Sequence, residues 1–322
     1  MKGLLLLGLK PALSCVLMTT DSEYDAFLMY VNTYHKSYDS VDHFNHRFTV
    51  FKTNLQKIVA HNLNPLNTFT LSVNKFTDLT ADEFNQYKGL DVMSRGCETY
   101  QQNGTYEAAV DWRNKSVVNA VKDQGACGSC WAFATVANAE SIWAIDTGIL
   151  FDLSEQQIVD CSHLNRGCQG GSPDLSFTYM IQHGLTEAQD YPYTSGNTQT
   201  NKCQPFTSVV SFSKCYDVEA NDPLSLTHAV MLNPVVVAIE ADTSYFQSYS
   251  SGIISGVECG TNLDHAVEIV GYGTDQGMDY WWIRNSWGED WGESGYVRLL
   301  RTNSTNDPGI CGVAMKPSFL KV

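Results

Sequence analysis

Basic residues are scarce in this chain: 20 Lys and Arg stand against 35 Asp and Glu over 322 residues, a formal net charge of −15. Nucleic-acid binding rests on clustered cations that neutralise phosphates, so the composition argues against that partner. Long apolar runs are also missing. A membrane-spanning helix needs about 20 unbroken apolar residues, and no segment supplies them. The nearest is "MKGLLLLGLKPALSCVLMT" (1–19), whose leucine run is interrupted by Lys10 and Pro11. A lysine followed by a short apolar run reads as a secretory signal peptide rather than a span. No repeat or low-complexity tract is present. Cysteine, by contrast, is plentiful, with 10 residues. Together with a signal peptide it predicts an oxidising compartment and disulfides. Asn103, Asn114 and Asn303 open acceptor triplets for N-glycosylation, weakly supporting the same compartment. A hydrophobic fraction of 43% is ordinary for a globular protein, and the length fits one or two domains.

The chain reads in two parts. From about 20 to 90 the pattern is helical. Phe44, Phe48, Phe51, Leu55, Ile58 and Val59 recur at helical spacing, and Phe27, Val31 and Tyr34 suggest an earlier helix. "FTLSVNKF" (69–76) alternates like a strand. "LTADEF" predicts a capped helix, with Thr80 as N-cap and Glu83 three residues on. Residues 91–107 are polar, contain Gly96 and Gly104, and read as an exposed linker. Beyond about 108 the composition changes. Eight cysteines and all seven tryptophans lie there. Residues 130–147 predict a helix from Ser129 to Gly148, and "LSEQQIVDC" another, capped by Ser154 with Gln157 in the capping-box place. From about 208, "VVSFSKCYDV", "PVVVAIEA", "HAVEIVGYG", "DYWWIRNSW" and "GYVRLL" read as strands. A helical half followed by a sheet-rich half suggests a site in the cleft between them.

"QGACGSCWAF" (124–133) poses the functional question. Cys127 and Cys130 could be a redox pair, half of a metal site, or two cysteines with separate roles. A cysteine in the first turn of a helix gains thiolate character, and a thiolate is the nucleophile of acyl transfer. His265, at the head of an apolar strand, could serve as its base. Asn285 could fix the imidazole by accepting a hydrogen bond. The Gln124 amide and the Cys130 N–H could stabilise an oxyanion. The opposing readings are a structural histidine, a turn asparagine, a surface glutamine and tryptophans that serve only as core. A thiol–disulfide oxidoreductase would leave Gln124, His265 and Asn285 without a task. A zinc site lacks a second close pair of Cys or His. A non-catalytic binding protein would not need the full Cys, His, Asn and Gln set.

"QGACGSCWAF", "CSHLNRGCQGG", "LDHAVEIVGYG" and "NSWGEDWG" occur in that order over 108–322. They resemble the blocks of papain-like cysteine proteases of the cathepsin L type, with His and Asn at or just beyond the expected interval of about 130 to 150 residues after the cysteine. The resemblance implies an α+β fold of two lobes, one helical and one β-barrel-like, with the active site in the cleft. It implies a cysteine endopeptidase without cofactor or metal, acting on protein and peptide substrates. Cys130 would be the nucleophile, His265 its partner, Asn285 the residue orienting His265 under Trp287, and Gln124 the oxyanion donor. Gly170 and Gly171 would bond the substrate backbone as an added strand. Ser172, Pro173, Ala238, Leu263, Asp264, Ala266, Trp287 and Lys316 would line the substrate subsites. Most of the pocket-forming side chains are small or apolar, which favours a hydrophobic substrate residue. Lys316 would favour an acidic one, unless Met315 takes its place.

The resemblance also implies disulfides Cys127–Cys168, Cys161–Cys203 and Cys259–Cys311. Cys215 is left as a buried free thiol, Cys97 falls in the linker and Cys15 in the signal peptide. The opening segment resembles the inhibitory propeptide of this group. Arg47, Phe51, Asn54, Ile58 and Asn62 match its helix pattern, with His43 in place of a glutamate. Asn74, Phe76 and Asp78 match the block that follows, with Ser72 in place of a glycine. The expected organisation is a signal peptide (1–19), a small helical propeptide domain (20–105) lying in reverse through the cleft, and the peptidase (106–322). The destination is the secretory pathway, lysosome or vacuole, or the cell exterior. Both the propeptide and the peptidase are net acidic, so attraction between them at neutral pH gains little. Protonation of His35, His43, His46 and His61 would make the propeptide neutral or positive, while protonation of its carboxylates would break its internal pairs, two opposed effects; the resemblance implies activation in acid.

Overall fold

The computed structural model describes residues 20–92, 96–102, 105–256 and 259–322. The signal-peptide reading, Cys15 and Asn103 fall outside the described residues. Among the described residues no helix is long and apolar enough to cross a membrane.

The helices are α1 (Thr20–Thr33), α2 (Val41–Asn62), α3 (Ala81–Phe84), α4 (Cys130–Thr147), α5 (Glu155–Cys161), α6 (Pro173–His183), α7 (Pro223–Leu232) and α8 (Ser244–Gln247). The strands are β1 (Phe69–Leu71), β2 (Glu98–Thr99), β3 (Val110–Asp111), β4 (Lys214–Asp217), β5 (Val235–Ile239), β6 (Tyr249–Ile254), β7 (His265–Asp275), β8 (Met278–Arg284), β9 (Tyr296–Leu300) and β10 (Ser318–Lys321).

α1 and α2 pack around a small core of their own: Phe27, Tyr30, Phe51 and Leu55. Phe27 meets the rings of Phe44, Phe48 and Phe51 at 5.1, 5.3 and 5.2 Å. Each such aromatic buried from water contributes about 1.5–3 kcal/mol. Asn62 brackets β1 at both Leu71 backbone groups. Asn54 donates to Thr77 O and Leu79 O. β1 is only three residues long, because beyond it Asn74 folds the chain into a turn by accepting from Phe76 N. β1 pairs antiparallel with β6 and so adds this N-terminal body to the edge of the main sheet.

The sheet runs β1-β6-β9-β8-β7-β5-β10-β4-β2, with β3 pairing β7. α4 is predominantly apolar without a separate polar face and is buried along most of its length, as a helix enclosed by core must be. It packs against β7 and α6. The capping expectations fare differently. Thr80 and Glu83 form a full capping box. Ser154 accepts from Gln157 N, while the Gln157 side chain turns to Gly184 O and Thr186 N. Ser129 stands before α4 without capping it; its hydroxyl bonds that of Tyr193 at 3.0 Å.

Two readings are corrected. Residues 91–107 are not simply an exposed linker: β2 pairs parallel with β4, Tyr100 N donates to Asp217 O at 2.7 Å, and the Tyr100 ring packs on Phe319. Cys215 is not a free thiol. It is bonded to Cys97, the two Cα atoms lying 4.8 Å apart, within disulfide reach. The strand pairing brings them together across a sequence separation of 118 residues. Cys127–Cys168, Cys161–Cys203 and Cys259–Cys311 are also bonded.

Candidate active site

Cys130 is the first residue of α4 and wholly buried. Among the described residues it is the free cysteine. The N–H of Ala266 donates to its Sγ at 3.5 Å, so the head of α4 meets the head of β7 across the junction of the two halves. His265 begins β7. Its Nε2 lies 2.8 Å from Asn285 Oδ1. An amide oxygen only accepts, so Nε2 carries the proton and Nδ1 of the neutral ring keeps its lone pair. Nδ1 has no hydrogen-bond partner, which leaves it open to take a proton from a thiol. Asn285 is held by its own N–H to Gly295 O, and its Oδ1 also accepts from Ser286 N. Trp287 stacks on the imidazole at 4.7 Å, shielding the His265–Asn285 bond from water.

Gln124 is fully buried. Its Nε2 donates to Cys127 O at 2.7 Å, and its Oε1 accepts from Ser286 Oγ at 2.6 Å. The Ser286 bond sets the amide so that its NH2 end faces the Cys130 loop. The disulfide Cys127–Cys168 ties that loop to the Gly170–Gly171 segment, and Tyr193 OH braces it by donating to Gln124 O at 2.7 Å. Ser286 and Tyr193 escape sequence reading; the position of Ser286 between Asn285 and Trp287 was the available signal. Beneath the site Lys122 bonds Glu140 and Glu155, and Arg284 lies between Glu140 and Glu268. This buried charge cluster was also not read from sequence.

The N-terminal body sends its chain through this cleft. Tyr87 O accepts from Gln124 Nε2 at 3.0 Å and from Trp287 Nε1 at 3.1 Å. Gly89 O accepts from Gly171 N at 2.9 Å, Leu90 N donates to Asp264 O, and Asp91 N donates to Gly171 O at 2.7 Å. Leu90 and Gly171 pair in parallel. A side chain at Gly89 would meet Gly128 O at 2.2 Å, and one at Gly171 would strike the Trp131 ring at 2.6 Å. Both glycines are thus required by close approach. Lys88 Nζ bonds Asp264 Oδ2 at 2.7 Å, and Phe76 and Phe84 pack against Trp287.

With the cleft covered, burial pushes the Cys130 thiol up to about 12, against the lowering effect of N–H groups from Ala266, Gly89 and Trp131. Burial likewise lowers the His265 imidazole to about 3, although the Asn285 bond works the other way. The enclosed site therefore favours thiol and neutral imidazole over the charged pair.

Of the remaining expected positions, Ser172, Pro173, Ala238 and Lys316 line a cavity of about 120 Å³ together with Leu90 and Met315. Lys316 and Met315 thus share it. Asp264 faces Lys88, Ala266 faces Cys130, and Leu263 packs at Gly312.

This geometry agrees with comparison to known proteins. The family described as papain family cysteine protease matches residues 106–320. The cathepsin propeptide inhibitor domain matches residues 27–84. "Germination-specific cysteine protease 1" of Arabidopsis thaliana is 45% identical over 288 residues, covering 85% of this chain and 76% of its own. Among solved structures, a recombinant stem bromelain precursor superposes with a TM-score of 0.86 at 36% identity, covering 93% of this chain and 99% of its own. Digestive procathepsin L 3 of Tenebrio molitor does so with a TM-score of 0.84 at 37% identity, again covering 93% and 99%. The chain belongs to the papain family of cysteine proteases, and its N-terminal body is a cathepsin-type inhibitory propeptide.

Proposed function

We propose that Cys130, His265, Asn285 and Gln124 are the working residues of this cysteine endopeptidase, in a precursor held silent by residues 20–105. The observation that carries the reading is the free Cys130 at the head of a helix, its Sγ accepting from the N–H of Ala266, next in the chain to a histidine whose unbonded Nδ1 is the nitrogen left to receive a proton.

Once the prosegment leaves, water enters and the charged pair becomes accessible: Cys130 gives its proton to His265 Nδ1, and the helix N-terminus supports the thiolate. The thiolate attacks the scissile carbonyl. The oxyanion takes hydrogen bonds from Gln124 Nε2 and the Cys130 N–H. His265 protonates the leaving amine, and water then hydrolyses the acyl-enzyme with His265 as base. Asn285 holds the ring through both proton transfers. Gly170 and Gly171 offer the backbone for an extended substrate, and Ser172, Pro173, Ala238, Leu263, Ala266 and Lys316 shape the neighbouring subsites. The small apolar lining favours a hydrophobic side chain there, while Lys316 in the same lining would draw an acidic one.

Release in acid is part of the proposal. Two propeptide histidines act as hydrogen-bond acceptors: His43 Nε2 accepts from Arg47 Nε at 3.1 Å, and His61 Nδ1 accepts from Asn67 Nδ2 at 3.0 Å. Both bonds need the lone pair of a neutral ring, since a protonated imidazole cannot accept. The compartment that fits is the secretory pathway leading to a lysosome, vacuole or the exterior.

The test is to incubate the precursor from pH 4 to 7.5 and follow processing, labelling of Cys130 by a thiol-reactive epoxide, and cleavage of dipeptide fluorogenic substrates. Labelling with cleavage, fastest in acid and lost in Cys130→Ala, is expected. A processed protein that neither labels nor cleaves overturns the catalytic assignment, and fastest processing at neutral pH overturns the acid trigger.

A further inference from the structure

Cys97 lies between the two matched regions, after the inhibitor domain ends at 84 and before the peptidase begins at 106. Its disulfide partner, Cys215, lies in β4 of the peptidase. A cut in the backbone anywhere between Cys97 and 106 therefore severs the chain without separating the parts. From these positions we infer that Cys97–Cys215 is a covalent tether: the prosegment remains attached to, and inhibits, the peptidase after the connecting segment has been cut.

The surroundings make the tether effective. β2 follows Cys97 directly and pairs Glu98 with Tyr216 and Thr99 with Asp217. Lys214 bonds Glu98 at 3.0 Å. On the other side of Cys97, Asp91 is already anchored in the cleft, through its N–H to Gly171 O and its carboxylate to Arg166 at 2.7 Å. Only a short stretch of chain separates the blocked cleft from the disulfide. A segment so short holds its ligand at an effective concentration on the order of millimolar. Dilution cannot compete with that, so a single cut past Cys97 leaves the nucleophile covered.

Two events free the inhibitor. One is a second cut before Cys97. The other is reduction by a thiol donor: a donor thiolate attacks one sulfur, the displaced cysteine takes a proton, and a second donor thiol completes the exchange as the donor pair leaves as a disulfide. Two electrons pass from donor to cystine, giving two protein thiols. An active enzyme in an oxidising compartment thus requires the upstream cut, whereas a reducing one accepts either.

The sequence offers a way to test this independently of the protein's own activity. Exposed Glu98 and Glu107 both lie past Cys97, and no glutamate lies between Glu83 and Cys97. The Cys130→Ala precursor, purified without reductant, is nicked in the linker with a glutamate-specific endopeptidase and analysed by mass spectrometry in denaturant. One covalent species that splits into two only with dithiothreitol is expected. Separation without reductant overturns the tether. A second measurement nicks the Cys130-containing precursor and its Cys97→Ser/Cys215→Ser variant, dilutes both and follows maleimide labelling of Cys130. Labelling at least about tenfold slower in the tethered protein is expected, and equal rates overturn the inhibitory role. The un-nicked variant, unlabelled over the same interval, controls for its folding. Neither readout requires Cys130 to be catalytic, so failure here is separable from failure of the proposed mechanism.

Discussion

Gly89 crosses the site between the Gly128 backbone on one side and the Gly171 N–H on the other. An added methyl would overlap Gly128 O, a backbone atom of a disulfide-tied loop that cannot swing aside. A synthetic prosegment carrying Gly89→Ala is therefore expected to inhibit the mature enzyme about 10- to 100-fold less well than the unaltered one, equivalent to about 1.4–2.8 kcal/mol. Measured inhibition constants decide it; equal constants would mean that the cleft relaxes around the methyl. At this scale the sequence is legible where chemistry dictates residue type. Cys130, His265, Asn285 and Gln124 stand in blocks whose order marks them. Ser286 and Tyr193 are not legible, because a hydroxyl acquires its meaning only from the amide it happens to face. Cys215 misled for a related reason: its partner comes from a polar stretch with little strand pattern of its own.

The prosegment helix α2 carries contacts that bear on the proposed release in acid. Arg47 Nη1 bonds Glu83 Oε2 at 2.7 Å while its Nε donates to His43. Burial opposes ionisation of Glu83, but the bonds from Arg47 and Thr80 outweigh it and hold the carboxyl down at about 2. A depressed carboxyl stabilises above its unfolded value and loses that contribution only as pH falls towards about 2, so the Arg47–Glu83 pair survives mild acid. Asp264 has the wrong sign for a trigger. Burial raises it despite Lys88, so proton uptake is favoured in the closed form. The histidine acceptors remain. His43→Glu would keep an acceptor for Arg47, and the pH of half-maximal processing should fall; an unchanged midpoint in a pH series would acquit His43. Among elements, long periodic helices such as α2 and α4 were readable. β1 shrank to three residues, "VVSFSKCYDV" to β4, and α7 went unread within a region taken as strands. Pro223 at its first turn and Asp222 capping it were the missed signals. Burial on every side removes the periodicity that would mark such a helix.

Across the whole molecule, two acidic bodies are joined by local complementarity. Prosegment Lys75 and Lys88 pair with peptidase Asp123 and Asp264, and prosegment Asp91 pairs with Arg166. Net charge concealed this, because composition carries no positions. The Arg166 side chain is 61% exposed and that of Lys88 only 5%. Exposed pairs contribute up to about 1 kcal/mol and are screened by salt, whereas a buried pair broken on one side leaves an uncompensated charge. Raising sodium chloride from about 0.05 to about 0.5 M should hasten processing less than about tenfold. Lys88→Met should hasten it more, and at both salt concentrations. Progress curves for the two precursors discriminate; salt matching the substitution would place the holding force at the rim.

One feature also changes how this molecule can be counted. Every other cysteine among the described residues is consumed in a disulfide, and the remaining thiol lies beneath the prosegment. Within the described chain, latency and the concealment of its single thiol are one condition. The number of thiols that a population presents to solvent, before any reductant is added, is therefore a census of its unlocked members.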